Sequence, residues 1–116
     1  MTVYFNGAFV DKDDVSISPD DRGFVFGDGV YEVLRAEDGR FFRPDDHFQR
    51  LRRSLREIRL DGVDVDALRD AISELLVRND LETGHAKAYL QITRGAAPRQ
   101  HAFPDADTEP TVYARV

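Results

Sequence analysis

The chain is organised around residues 21–32, which read Asp-Arg-Gly-Phe-Val-Phe-Gly-Asp-Gly-Val-Tyr-Glu. The three glycines of this stretch allow either a positive φ angle or a close approach of the backbone to another group. Phe24 and Phe26 are expected to bury the segment against a core. A buried loop that contains glycines and ends in a Tyr-Glu pair is typical of the wall of a binding site, and we expect residues 21–32 to form such a loop.

The rest of the chain predicts a sheet and two helices. Asn6-Gly7 is typical of a two-residue hairpin turn because both residues tolerate positive φ, and Ile17 is expected to anchor the following loop inward. Phe48, Leu51 and Leu55 recur at the spacing of an amphipathic helix. The predicted helices span residues 44–58 and 64–79, and the predicted strands are 3–5, 8–10, 30–36, 40–42, 84–94 and 111–116. We therefore expect an α+β fold, an antiparallel sheet with two helices packed on one face.

Length and composition exclude several classes of function. A chain of 116 residues suits one small domain. No stretch approaches the roughly 20 apolar residues of a membrane span, and the first residues do not resemble a signal peptide, so we expect a cytoplasmic protein with no membrane partner. The net charge of −6 is spread along the chain, which argues against nucleic-acid binding. There is no cysteine, and no group of residues has metal-ligand spacing, so no metal is expected.

The pattern Asp-Arg-Gly-x-x-Phe-Gly-Asp-Gly-x-Tyr-Glu resembles the N-terminal signature of the class IV (fold type IV) pyridoxal-phosphate aminotransferases. The likeness extends from Tyr4 to the final strand. Thr93-Arg94-Gly95 followed by Arg99-x-His101 makes it closest to the D-amino acid aminotransferases. The resemblance implies that residues 1–116 are a single N-terminal α+β domain of a homodimeric enzyme. That enzyme would use pyridoxal 5'-phosphate to transfer an amino group from a D-amino acid such as D-alanine to a 2-oxo acid.

The resemblance also implies roles for four side chains. Tyr31 would border the substrate carboxylate together with Arg99 and His101 of the partner subunit, and Arg50 would bind the cofactor phosphate, because a planar cation holds two oxygens at once. Without the resemblance, other interpretations stay open. Tyr31 also fits an ordinary strand aromatic, Arg50 a solvated helix residue, and Arg99-x-His101 an exposed loop pair.

The neighbours of these residues are expected to support them. Glu32 points away from Tyr31 if the segment is extended, and we expect it to accept hydrogen bonds rather than to catalyse. His47, one helical turn before Arg50, is expected to orient its neighbours rather than to transfer protons. Arg22 and Arg94 are expected to serve structure, by bridging loops to the sheet or by binding carbonyl groups.

Neither lysine of the chain is expected to form a Schiff base with the cofactor. Only Lys12 and Lys87 are present, one in an Asp-rich turn and one at the start of a strand. A pyridoxal-phosphate enzyme needs a lysine to form a Schiff base, and in the family this lysine comes from a second, C-terminal domain. We therefore expect no catalytic residue in this chain, and we expect the 116 residues alone to be inactive.

Two alternatives remain at this point. One is a class IV relative with another substrate, such as a branched-chain or (R)-amine transaminase or aminodeoxychorismate lyase. The other is a non-catalytic, stand-alone dimerisation or ligand-binding domain that has kept the fold.

Overall fold

A computed structural model describes all 116 residues, and it contains one antiparallel sheet and two long helices. The sheet order is β2-β1-β6-β5-β3-β4, and every strand pair is antiparallel. The elements in chain order are β1 (Thr2–Phe5), β2 (Ala8–Asp11), a 3-10 turn (Lys12–Asp14), α1 (Arg22–Phe26), β3 (Gly29–Glu37), β4 (Arg40–Phe41), α2 (Pro44–Glu57), α3 (Val65–Arg78), β5 (His85–Thr93) and β6 (Thr111–Arg115). The predicted α+β fold is confirmed.

The core lies between α2, α3 and one face of the sheet. Residues alternate between the two faces of a strand, so Glu32, Leu34 and Ala36 of β3 are buried toward the helices while Tyr31 and Val33 point the other way. The helices contribute the apolar stripe that the periodicity predicts, including Phe48, Leu51, Leu55, Leu68, Ile72 and Leu75. The helix-free face of the sheet is left open.

Both predicted hairpins are present. Asn6 and Gly7 join β1 to β2 with φ angles of 46° and 93°, as a turn with two left-handed residues requires. Asp38 and Gly39 join β3 to β4 in the same way, with φ angles of 47° and 74°. No helix of the chain is both long and apolar enough to cross a membrane.

The central stretch differs from the expected loop because it contains a short helix, α1. The Asp21 side chain caps the helix by accepting from the Gly23 amide at 2.8 Å, and Gly27 ends it in the left-handed region with φ 66°. Gly23 is required for a different reason: a Cβ atom there would lie 2.2 Å from Cγ2 of Thr93. Close packing of α1 on β5 therefore fixes the position of residues 21–32.

The expected burial of three apolar side chains in this region was wrong. Phe24 is 81% exposed, Ile17 51% and Phe26 37%. The inward side of α1 is occupied instead by the buried side chain of Arg22 and by Gly23 against β5. A single helical turn cannot bury both faces, so its phenylalanines lie at the surface.

Candidate functional site

Glu32 and Arg50 form a bidentate ion pair between the sheet and α2. Glu32 lies on the helix side of β3 and is only 4% exposed. Arg50 Nε donates to Oε1 at 2.6 Å and Nη2 donates to Oε2 at 2.9 Å. The paired geometry fixes the plane of the guanidinium as well as its position.

His47 completes this group, which we call the Glu32 cluster (Glu32, His47, Arg50). Its Nδ1 lies 2.8 Å from Oε2 of Glu32. Burial disfavours the charged carboxylate, but the hydrogen bonds from Arg50 and His47 outweigh it and lower the pKa of Glu32. The expectations that Glu32 accepts hydrogen bonds and that His47 orients a neighbour agree with this geometry.

Arg50 presents one edge to Glu32 and the other to solvent. Its side chain is 66% exposed. A guanidinium has five N–H donors, and Glu32 uses one on Nε and one on Nη2, which leaves Nη1 and the second Nη2 hydrogen for another acceptor. The carboxylate raises the pKa of Arg50, so the guanidinium stays charged. Such a group can bind an anion through two or more oxygens.

Tyr31 lies on the open face of the sheet, where it is 65% exposed. Its ring centroid is 6.2 Å from that of Tyr89 on the adjacent strand, and Tyr89 donates to the side chain of Gln91. Burial and the neighbouring Tyr31 and Tyr113 raise the pKa of Tyr89, which therefore keeps its proton. Tyr31 itself makes no hydrogen bond, so its hydroxyl is free to contact a ligand.

Arg99 and His101 both pack against the ring of Phe26, a group that we call the Phe26 platform (Phe26, Arg99, His101). The guanidinium carbon of Arg99 is 5.3 Å from the ring centroid, and the His101 ring meets Phe26 edge-on at 5.6 Å. Both side chains are exposed and neither makes a hydrogen bond. A cation and an imidazole presented together can bind a carboxylate.

The predicted site residues are only partly brought together in one chain. Arg99 and His101 share Phe26, and Arg50 joins Glu32 and His47, but no hydrogen bond or ring contact links Tyr31 to Arg99 or His101. Arg50 belongs to the helix side of the sheet, whereas Tyr31 points to the open face.

A buried ion-pair group that sequence reasoning missed includes Arg22, which lies over the ring of Phe26. Asp28 Oδ2 accepts from Nε of both Arg22 and Arg94 at 2.8 Å each, and we call these three residues the Asp28 cluster. Burial disfavours its charge, but the bonds from Arg94 and Arg22 outweigh it and lower the pKa of Asp28. The structural role expected for both arginines is confirmed. Two buried arginines need a carboxylate to compensate their charge. The sequence feature that could have predicted this group is Asp28, which lies between Gly27 and Gly29.

Neither lysine makes a hydrogen bond or an ion pair with these groups. Lys12 is exposed in the 3-10 turn, and Lys87 is exposed on β5 opposite Arg35. Arg35 is four residues along β3 from Tyr31, a separation of about 13 Å at the rise of a strand.

Comparison with known proteins supports the resemblance. The family model for amino-transferase class IV matches residues 29–116. The D-alanine aminotransferase of Staphylococcus haemolyticus is 46% identical over 113 residues, which cover 97% of this chain and 39% of the relative. The chain thus spans well under half the length of that relative.

Two solved structures share the fold. The branched-chain amino acid aminotransferase of Escherichia coli matches with a TM-score of 0.87 at 24% identity, over 98% of this chain and 38% of that one. A hypothetical aminotransferase from Mycobacterium tuberculosis in its PLP-bound form matches with a TM-score of 0.75 at 27% identity, again over 98% and 38%. The family match covers most of the chain, and the chain therefore belongs to the class IV aminotransferases.

Proposed function

We propose that this chain is the N-terminal domain of a pyridoxal-phosphate aminotransferase that moves an amino group from a D-amino acid of the D-alanine type to a 2-oxo acid. The observation that carries the proposal is the match to D-alanine aminotransferase along 97% of the chain. The Phe26 platform supports it, because a paired guanidinium and imidazole suit a substrate carboxylate.

The Glu32 cluster fits the cofactor's phosphate group. Arg50 is oriented by a buried carboxylate and keeps donors toward solvent, which is what a phosphate oxygen needs. When bound, pyridoxal phosphate supplies the electron sink for amino-group transfer. The protein's contribution here is to hold the phosphate through Arg50, with Glu32 and His47 fixing the guanidinium plane.

The carboxylate of the substrate is assigned to Tyr31, Arg99 and His101. Since no hydrogen bond or ring contact joins Tyr31 to the Phe26 platform of its own chain, we propose that Arg99 and His101 of the partner subunit complete each site in a homodimer. Fixing the carboxylate at one end and the phosphate at the other determines which face of the α-carbon is presented to the base.

The reactive lysine is proposed to lie outside these 116 residues, in a C-terminal domain. Lys12 is in an exposed turn, and Lys87 is about four strand positions, or roughly 13 Å, from Tyr31. The isolated 116-residue chain is expected to show no transaminase turnover. Measurable turnover by that chain would contradict the assignment.

The test of the activity is amino-donor preference. The full-length protein, supplied with pyridoxal phosphate and 2-oxoglutarate, is expected to form pyruvate from D-alanine faster than from L-alanine. L-leucine serves as the matched donor for a branched-chain enzyme. Equal or faster use of L-leucine would contradict the D-amino acid assignment.

A further inference from the structure

The loop that carries Arg99 and His101 is attached at its start to the residues around α1. The backbone amide of Arg22 donates to the Gly95 carbonyl at 2.9 Å, and the Ala97 amide donates to the Asp20 carbonyl at 3.4 Å. The path of the loop is therefore fixed by backbone pairing up to residue 97.

Beyond residue 97, the side chain of Arg22 holds the backbone of the loop. Its Nη1 donates to the carbonyl of Gln100 at 2.7 Å and to that of Ala102 at 3.3 Å. These two carbonyls lie on either side of His101, and the first directly follows Arg99. Because Arg99 and His101 have no side-chain hydrogen bonds of their own, their direction depends on this backbone attachment and on their packing against the ring of Phe26.

Asp28 holds Arg22 in the position that reaches the loop. The side chains of Arg22 and Asp28 are 5% and 11% exposed, so their ion pair is shielded from water and salt. Arg22 also lies over the ring of Phe26, with its guanidinium carbon 4.9 Å from the centroid. One buried guanidinium thus contacts both the backbone of the loop and the ring on which Arg99 and His101 pack.

We propose that Arg22, fixed by Asp28, is a positioning residue that sets the direction of Arg99 and His101 toward the substrate carboxylate. It acts through the loop backbone and does not touch the substrate. The substrate part of this inference rests on the proposed function, whereas the attachment of the loop does not.

The attachment is tested by limited trypsin digestion of the purified protein, because Arg99-Gln100 is itself a trypsin site. Arg22→Lys keeps the charge but cannot reach Asp28 and two carbonyls at once. The measured quantity is the ratio of the cleavage rate after Arg99 to the cleavage rate after Arg53, which lies inside α2. This ratio is expected to rise about tenfold, because that factor corresponds to the loss of roughly one charge-assisted hydrogen bond. Cleavage after Arg53 reports global unfolding, so the ratio separates loop release from instability.

The matched control is Arg40→Lys, at an exposed arginine of β4 that has no ion pair. It is expected to leave the cleavage ratio unchanged. Asp28→Asn is a second variant that removes the carboxylate rather than the guanidinium, and it is expected to raise the ratio as Arg22→Lys does. A wild-type ratio in both variants would overturn the attachment.

The effect on substrate is tested with the full-length protein at saturating pyridoxal phosphate. Arg22→Lys is expected to raise the KM for D-alanine about tenfold with kcat changed less than about twofold, the pattern of a lost binding interaction. A raised cleavage ratio with an unchanged KM would overturn the positioning role and leave the attachment standing. If the wild-type protein uses no D-alanine, the proposed function fails, and the digestion alone decides on the attachment.

Discussion

The Glu32 cluster and the Phe26 platform present arginines to solvent in two different ways. Arg50 is held by its own side chain, through a bidentate pair to a buried carboxylate, and both partners lie on regular elements. Arg99 has no ion pair or side-chain hydrogen bond; its side chain packs on the ring of Phe26, and Arg22 holds the backbone of its loop. The first site is preorganised within one chain, whereas the second, in our proposal, depends on the buried Arg22–Asp28 pair beside it and on a second chain.

The largest effect on stability is expected from Asp28→Asn, a change at the buried carboxylate that holds Arg22. Asp28→Asn removes the carboxylate shared by Arg22 and Arg94 and leaves two buried cations without it. The free energy of unfolding is expected to fall by about 3–5 kcal/mol in urea denaturation. The control Asp45→Asn breaks an exposed pair with Arg69 and is expected to lower it by less than about 1 kcal/mol. Equal losses in the two variants would contradict the difference between buried and surface pairs.

Removing Arg50 tests the preorganised site. Arg50→Ala is expected to weaken pyridoxal phosphate binding by about 100-fold, as the loss of charged hydrogen bonds implies, when affinity is measured by equilibrium dialysis of the full-length protein. Arg53→Ala is the matched control, an exposed arginine on the same helix that makes no ion pair. A similar loss in both variants would show that α2 attracts the phosphate only through its general charge.

A smaller effect is expected from the residue that orients Arg50. Glu32→Gln keeps the shape of the side chain but weakens the bonds to Arg50 and His47, so phosphate affinity is expected to fall about tenfold. Glu37→Gln, at an exposed position of the same strand, is the control. Tighter binding in Glu32→Gln would mean that the carboxylate competes with the phosphate for Arg50.

Acid is expected to weaken the Glu32 cluster and the Asp28 cluster gradually. Asp28 and Glu32 have lowered pKa values in the folded chain, so their contribution to stability is full above their unfolded values of about 3.8 and 4.5. It is lost as the pH falls below those values toward the folded ones. The urea midpoint is expected to fall between pH 5 and pH 3, and less so in Asp28→Asn. An unchanged midpoint over this range would contradict the ion pairs.

The fold was predictable from the sequence wherever periodicity or turn chemistry is local. The apolar spacing of Phe48, Leu51 and Leu55 was sufficient for α2, and Asn6-Gly7 was sufficient for the first hairpin. The expected burial of Phe24 was wrong because it was based on residue type alone, and a one-turn helix has no period from which an inward face can be read.

The candidate site was predictable only in part. The resemblance to the family was the reason to select Arg50, Arg99 and His101 as candidate site residues. Strand alternation correctly predicted that Tyr31 and Glu32 lie on opposite faces of the sheet. The Asp28 cluster was missed because Asp28 joins arginines 6 and 66 residues away, a relation that no spacing rule contains. Long-range pairing of buried charges becomes visible only once the sheet brings β5 and α1 together.

The central claim is that Arg50 binds the cofactor phosphate and Arg99 binds the substrate carboxylate. The most direct test is the KM for D-alanine of the variant Arg99→Ala. At saturating pyridoxal phosphate, the full-length variant is expected to show a KM raised about 100-fold, the loss of a guanidinium–carboxylate interaction, with cofactor affinity unchanged. A wild-type KM for D-alanine in that variant would contradict the claim.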